Sequence, residues 1–192
     1  MPYHNYMKRI LITAFDAFGQ HNDNPSERLL SSVSAKNTIK LILPTIYGEA
    51  EDRLIEAMEK EKPNAILMLG YSRTAKPIKL ELLARNRDST ITKDNHGKTG
   101  RSPITTGGPK VISSTLPIDD IIKEWDKKGI TYALSKNAGG FLCNHVLYLG
   151  LNWLKTHGQA TVPCGFMHIG GAANDIVRGK EAVLSTLNVL QQ

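Results

Sequence analysis

The sequence lacks most of what would tie it to a metal, a membrane or a disulfide-stapled scaffold. Two cysteines in 192 residues make no disulfide framework, and a chain of this length can bury enough core to do without one. Both are read as thiols. No apolar run approaches the roughly 18–20 residues of a bilayer span, so no membrane partner is expected. The opening MPYHNYMKRILITAF has a short, alternating apolar run with no small-residue cleavage site. That is not a secretory leader, and a cytoplasmic setting follows as the expectation. There is no Walker loop, no GxGxxG follows the first apolar run, and Gly107–Gly108 precede Pro109 without that spacing; nucleotide binding has little support. Cys143, His145, Cys164 and His168 are the one set worth weighing for zinc. Neither spacing is a standard zinc pattern, and Cys-x-His within one helix is awkward, so neither metal nor organic cofactor is expected.

What is there is globular. The hydrophobic fraction is 41% and the charged fraction 22%, values of a folded domain. The length suits one domain over residues 1–192. The formal charge is +6, but acids are interspersed and no zinc-finger, helix-turn-helix or RNP-type pattern occurs, so nucleic acid is not expected. The excess is concentrated over residues 76–101, with seven basic residues against three acidic ones. Solvated loop surface and a docking face for an acidic partner or substrate both fit.

Strands and helices alternate along the chain. Residues 9–14 (RILITA) read as a first strand, and the loop at 15–25 leads to Pro25, suited to the start of a short helix. A second strand is expected over 40–43 and a helix over 49–61, where Leu54, Ile55 and Met58 share a side. The run AILML at 65–69, closed by Gly70, suits a strand covered on both faces. A strand over 80–86 gives way to a polar, turn-rich stretch over 86–108, the kind of long irregular segment that is often functional or oligomeric. Helices are expected over 118–128, 142–154 and 172–190, and strands over 132–135 and 164–169. This alternation predicts an α/β fold with a mostly parallel twisted sheet, in one three-layer α/β/α domain.

Cys143 stands out by its context. In NAGGFLCNH two glycines permit a sharp turn, and the helix that follows begins with unpaired N–H groups. A thiol there has its thiolate stabilised by the helix dipole, and the same amides can receive an oxyanion. Elsewhere a lone cysteine is more often a small hydrophobe, which is the reading given to Cys164. A thiol nucleophile needs a base. His4 and His21 lie in the tail and an early loop, His96 in the polar stretch and His157 in a connection. His145 follows Cys143 by two residues and faces another way on a helix. His168, near the C-terminal end of CGFMHI, lies at the sheet edge where ligands usually sit. It is the favoured base, a satisfied histidine at a strand end being the alternative. Trp125 and Trp153 fall beside aliphatics at helical spacing and read as packing residues.

The ordered blocks resemble the pyroglutamyl-peptidase I family, also called pyrrolidone-carboxylate peptidases. ITAFDAFGQ…NPS, LPTIYGEA, STLPIDDI, NAGGFLCNHVLY and GFMHIG each resemble a family segment in the family's order. The resemblance implies Cys143 as nucleophile, His168 as base and Glu81, otherwise an ordinary charge in KLELLARN, as the third catalytic residue. It implies hydrolysis of the amide after an N-terminal pyroglutamyl residue through a thioester. It further implies a small peptide or amide substrate and a homodimer or homotetramer. Phe15 and Phe18 match phenylalanines that sandwich the lactam ring, with Tyr71 and Leu142 as further substrate-binding residues.

The segment 70–91 departs from that pattern. Tyr71 stands in place of a glutamine that lines the family pocket. Ala75 and Leu82 stand where arginines are usual, and Ile91 where the family has an arginine associated with the active-site surroundings. Isoleucine and leucine cannot supply the charged fork of a guanidinium. Three readings therefore stand: a pyroglutamyl peptidase; a thiol-dependent hydrolase, acyltransferase or cyclase acting on another small amide or lactam, with Tyr71 setting specificity; or a binding protein on the same fold.

Overall fold

The computed structural model describes residues 8–75 and 78–192; His4 and Lys76 lie outside them. Strand β1 (Ile10–Phe15) is followed by α1 (Pro25–Ser32), whose first turn is closed by Asn24 accepting from the Ser26 N–H. Then come β2 (Thr38–Leu43), α2 (Glu49–Glu61) and β3 (Ala65–Tyr71). Next are the short strands β4 (Ile78–Glu81), β5 (Leu83–Arg85) and β6 (Val111–Ser113). The chain ends with α3 (Ile118–Lys127), β7 (Ala133–Ser135), α4 (Leu142–Thr156), β8 (Cys164–Ile169) and α5 (Ala173–Gln191).

Six strands form the main sheet in the order β2-β1-β3-β8-β4-β7. β2, β1, β3 and β8 run parallel, whereas β4 runs antiparallel to β8 and parallel to β7. The reversal has a simple cause. Only a short connection separates β3 from β4, too short for a crossover, so the chain must turn back. The period-2 alternation of the strands then builds two cores. Ile10, Ile12 and Ala14 join Leu29, Trp125 and Val183 on the face covered by α1, α3 and α5. Leu11, Ile66 and Met68 join Leu54, Met58, Val146 and Leu147 on the face covered by α2 and α4. The result is a three-layer α/β/α arrangement. Trp125 is fully buried, its indole N–H donating to the Ala182 carbonyl, and Cys164 is fully buried as well. Trp153 packs at the edge of its core and stacks on His157.

Two sequence expectations need correction. The third strand does not stop at Gly70 but runs through it to Tyr71. The strand expected over 80–86 is two strands, and the second, β5, leaves the main sheet to pair with β6 in a separate antiparallel ribbon. β6 carries no periodic signal in three residues. The polar stretch between them is organised by side-chain-to-backbone bonds in place of regular elements. Asn86 accepts from the Thr105 N–H and donates to the Thr105 and Gly108 carbonyls. Asp94 accepts from the N–H groups of Tyr47, His96 and Lys98. Among the described residues no helix is long and apolar enough to cross a membrane.

Candidate active site

β3 and β8 end side by side, with Gly70 in register with His168. Strand alternation turns His168 toward the α4 face, as it does Glu81 at the end of the neighbouring antiparallel β4. The reversed strand thereby brings a carboxylate to the edge where the parallel strands deliver their ligand-facing residues. His168 Nδ1 donates to Glu81 Oε1 at 2.8 Å. The imidazole is 6% exposed and the carboxylate fully buried. With Nδ1 committed, Nε2 is the ring nitrogen left for the nearby Cys143 sulfur. Burial works against a charge on His168, but the Cys143 sulfur and the Glu81 carboxylate outweigh it and lift the imidazole to about 9. The second Glu81 oxygen has no partner among the described residues.

Cys143 is the second residue of α4 and half-buried. The turn before it needs glycine at Gly139, where φ is +88°. No side chain caps this helix. The first intrahelical bond is donated by His145 to the Phe141 carbonyl, so the amides of Leu142, Cys143 and Asn144 have no intrahelical acceptor. Beneath the thiol lies Gly70. A Cβ added there would meet the Phe166 ring at 2.6 Å and Cys143 Sγ at 2.9 Å, so the thiol reaches the sheet only because that strand position has no side chain.

The four residues expected around a substrate are placed differently from one another. Phe15 closes β1 and is buried at 4% exposure; Leu142 is buried at 1%. Both belong to the α2–α4 core. Phe18 is more open, and its ring lies 5.0 Å from that of Phe141. Tyr71 is exposed and lines a cavity of about 780 Å³ with Phe18, Arg73, Ala75 and Gly171. The Phe18 loop is tied down by Asn95, which accepts from the Gly19 N–H and donates to the Ala17 carbonyl.

Of the substituted positions, Ile91 is 86% exposed. Ala75 is buried at the cavity wall. Arg85 donates to the Lys136 carbonyl, not to any member of the Cys143–His168–Glu81 group. The set weighed for zinc does not converge, because His145 is held by Asp88 and Glu51. Burial pushes the Cys164 thiol up to about 12. Among the described residues no group of three or more His, Cys, Asp or Glu side chains is arranged to hold a metal ion. Sequence reasoning missed Gly70, read only as the close of a strand, and Asn144. Asn144 is fully buried, accepts from the Arg85 N–H and donates to the Arg85 and Arg87 carbonyls. The signal available in the sequence was an asparagine among apolar residues in the first turn of the Cys143 helix, since an amide buried there demands partners.

The family model for pyroglutamyl peptidase matches residues 8–189. The chain belongs to the pyroglutamyl peptidase family. A pyrrolidone-carboxylate peptidase of Thermoanaerobacter is 34% identical over 166 residues, covering 84% of this chain and 81% of that one. One from Fusobacterium nucleatum is 36% identical over 168 residues, covering 85% and 78%. Among solved structures, the pyrrolidone carboxyl peptidase of the hyperthermophile Pyrococcus furiosus superposes with a TM-score of 0.86 at 28% identity, covering 95% of this chain and 97% of that one. Within this pyroglutamyl peptidase family member, the departures at 71–91 leave the three-layer frame intact.

Proposed function

We infer that the protein is a cysteine peptidase that hydrolyses the amide bond after an N-terminal pyroglutamyl residue. One observation supports this reading above all. In a chain of this family, a buried carboxylate holds an imidazole beside a thiol that sits at an uncapped helix N-terminus. His168 takes the proton of Cys143, and the Glu81 carboxylate beside it favours the imidazolium so formed. The Cys143 thiolate attacks the pyroglutamyl carbonyl carbon, and the free amides at the start of α4 receive the oxyanion. His168 then gives its proton to the departing amine as the C–N bond breaks, leaving a thioester on Cys143. Water attacks the thioester, His168 takes its proton, and pyroglutamate leaves as the thiol is restored. Glu81 holds His168 in the tautomer and orientation that both transfers need. Phe18 and the buried Phe15 offer apolar walls to a lactam ring, and the cavity beside Tyr71 gives the peptide beyond the scissile bond a place to lie.

The substrate is a small peptide or amide, a homodimer or homotetramer is the assembly proposed, and a cytoplasmic location suits two reduced thiols. The test is release of arylamine from a pyroglutamyl arylamide, with prolyl, alanyl and glutamyl arylamides and a Cys143→Ala control alongside. Turnover confined to the pyroglutamyl substrate and lost in the control is expected. No turnover at high enzyme concentration, with Cys143 intact and reduced, overturns the assignment.

A further inference from the structure

The helical turn that presents Cys143 also holds a second buried histidine, which no step of the reaction uses. His145 is fully buried. Its Nδ1 lies 2.6 Å from Asp88 Oδ2, and its Nε2 contacts Glu51 Oε2. Glu51 also receives Arg101 at 3.0 Å. Two carboxylates can both accept from one imidazole only if it is doubly protonated. Burial opposes that charge, but Asp88 and Glu51 outweigh it and raise His145. The other titratable group facing it is Tyr47, whose ring meets it edge-on at 5.1 Å.

These partners come from separate parts of the chain. Asp88 precedes Ser89, whose N–H donates to the Gly140 carbonyl at 2.6 Å, inside the turn that leads to Cys143. Asn144 grips the same segment at Arg85 and Arg87. Residues 85–89 are thus fastened to the first turn of α4 from one side and to the Gly139–Gly140 turn from the other. Ile91 stands in solvent, whereas Asp88 ties this segment to α4 through its contact with His145. A buried ion-paired cluster is a poor source of stability compared with apolar packing of the same volume. Its value lies in fixing geometry.

We propose that His145 is a positioning residue for the reaction: clamped between Asp88 and Glu51, it holds residues 85–89 against α4. It thereby fixes the Gly139–Gly140 turn and the amides that must meet the acyl oxygen. The proposal rests on the peptidase reading. Because those amides act on the transition state more than on the bound substrate, loss of the clamp falls on kcat.

The experiment compares wild type, His145→Gln, Asp88→Asn and the double variant on pyroglutamyl arylamide, with amide hydrogen exchange followed in parallel. His145→Gln is expected to lower kcat roughly 10- to 100-fold with KM within about threefold, the scale of a small misplacement at a reacting centre. The double variant is expected to be no worse than the worse single one, because both cut the same link. Exchange at Ser89 and over 139–144 should quicken while α5 exchanges as in wild type. A folded His145→Gln protein with unchanged kcat overturns the proposal, as does an additive double variant. If His145→Gln does not fold, Asp88→Asn and Glu51→Gln decide: wild-type kcat in both overturns it. If wild type turns over no pyroglutamyl arylamide, the peptidase reading fails separately. Exchange then judges the clamp, and a uniform change across the chain, or none, overturns it.

Discussion

Two buried histidines, His145 and His168, sit on the same side of the sheet and differ in how many carboxylates hold them. Glu81 takes one ring nitrogen of His168 and leaves the other facing a thiol. Asp88 and Glu51 take both nitrogens of His145 and leave nothing to react with. One acidic partner orients an imidazole and keeps it able to pass a proton; two turn it into a fixed cation. The distinction is not visible in residue type or burial, since both are interior histidines with a carboxylate partner. It lies in the valence left over.

The sharpest way to break this contrast is Glu81→Gln. The amide keeps the shape but no longer stabilises imidazolium, and kcat on a pyroglutamyl arylamide is expected to fall about 10³-fold. The pH profile is the second readout. His168 is raised from 6.5 to about 9, so its proton is available to the leaving amine until the pH rises through about 9, where kcat/KM should decline. The stabilisation from its charged pairing is fully present below about 6.5 and lost through the same rise. Removing the Glu81 charge moves the alkaline limb to lower pH. A limb that stays near 9 in Glu81→Gln would mean that the Cys143 sulfur, or another group, sets it.

Gly70→Ala tests the surface on which His168 and Cys143 meet. The new methyl collides with Phe166 and the thiol, and a drop in kcat of about 100-fold is expected. Iodoacetamide should also alkylate Cys143 at an altered rate. The smallest effect belongs to Cys164, a fully buried thiol that burial pushes up to about 12. Cys164→Ala should leave kcat unchanged and cost about 1 kcal/mol of stability in urea unfolding. Alkylation of the native protein should label Cys143 alone, by mass spectrometry of tryptic peptides.

Much of the frame was legible in the sequence. The helix over 49–61 and the strand over 164–169 stand as expected, because their periodicity and their Gly, Pro and polar boundaries agree. The six-stranded sheet is less uniform than alternation implied. The direction of β4 is decided by the length of the connection to β3, not by any residue within β4. The candidate site was legible in part. Cys143 announces itself through the glycine turn and His168 through its strand end, whereas Glu81 was singled out only by family resemblance. Nothing in KLELLARN marks a carboxylate that will be buried, because its burial depends on β8 and β7 arriving on either side. The clamp on His145 was illegible for the same reason: Glu51, Asp88 and His145 lie far apart in the chain, and no local pattern pairs them.

Asn144 has a consequence of another kind. It holds Arg85 and Arg87 through their main-chain N–H and C=O groups alone, as an adjoining strand would. A grip on the peptide backbone is indifferent to which side chains it passes over. The stretch beside the start of α4 can therefore accumulate replacements while staying moored in place, and the mooring supplies a route by which a pocket can be rewritten without dismantling the groups next to it.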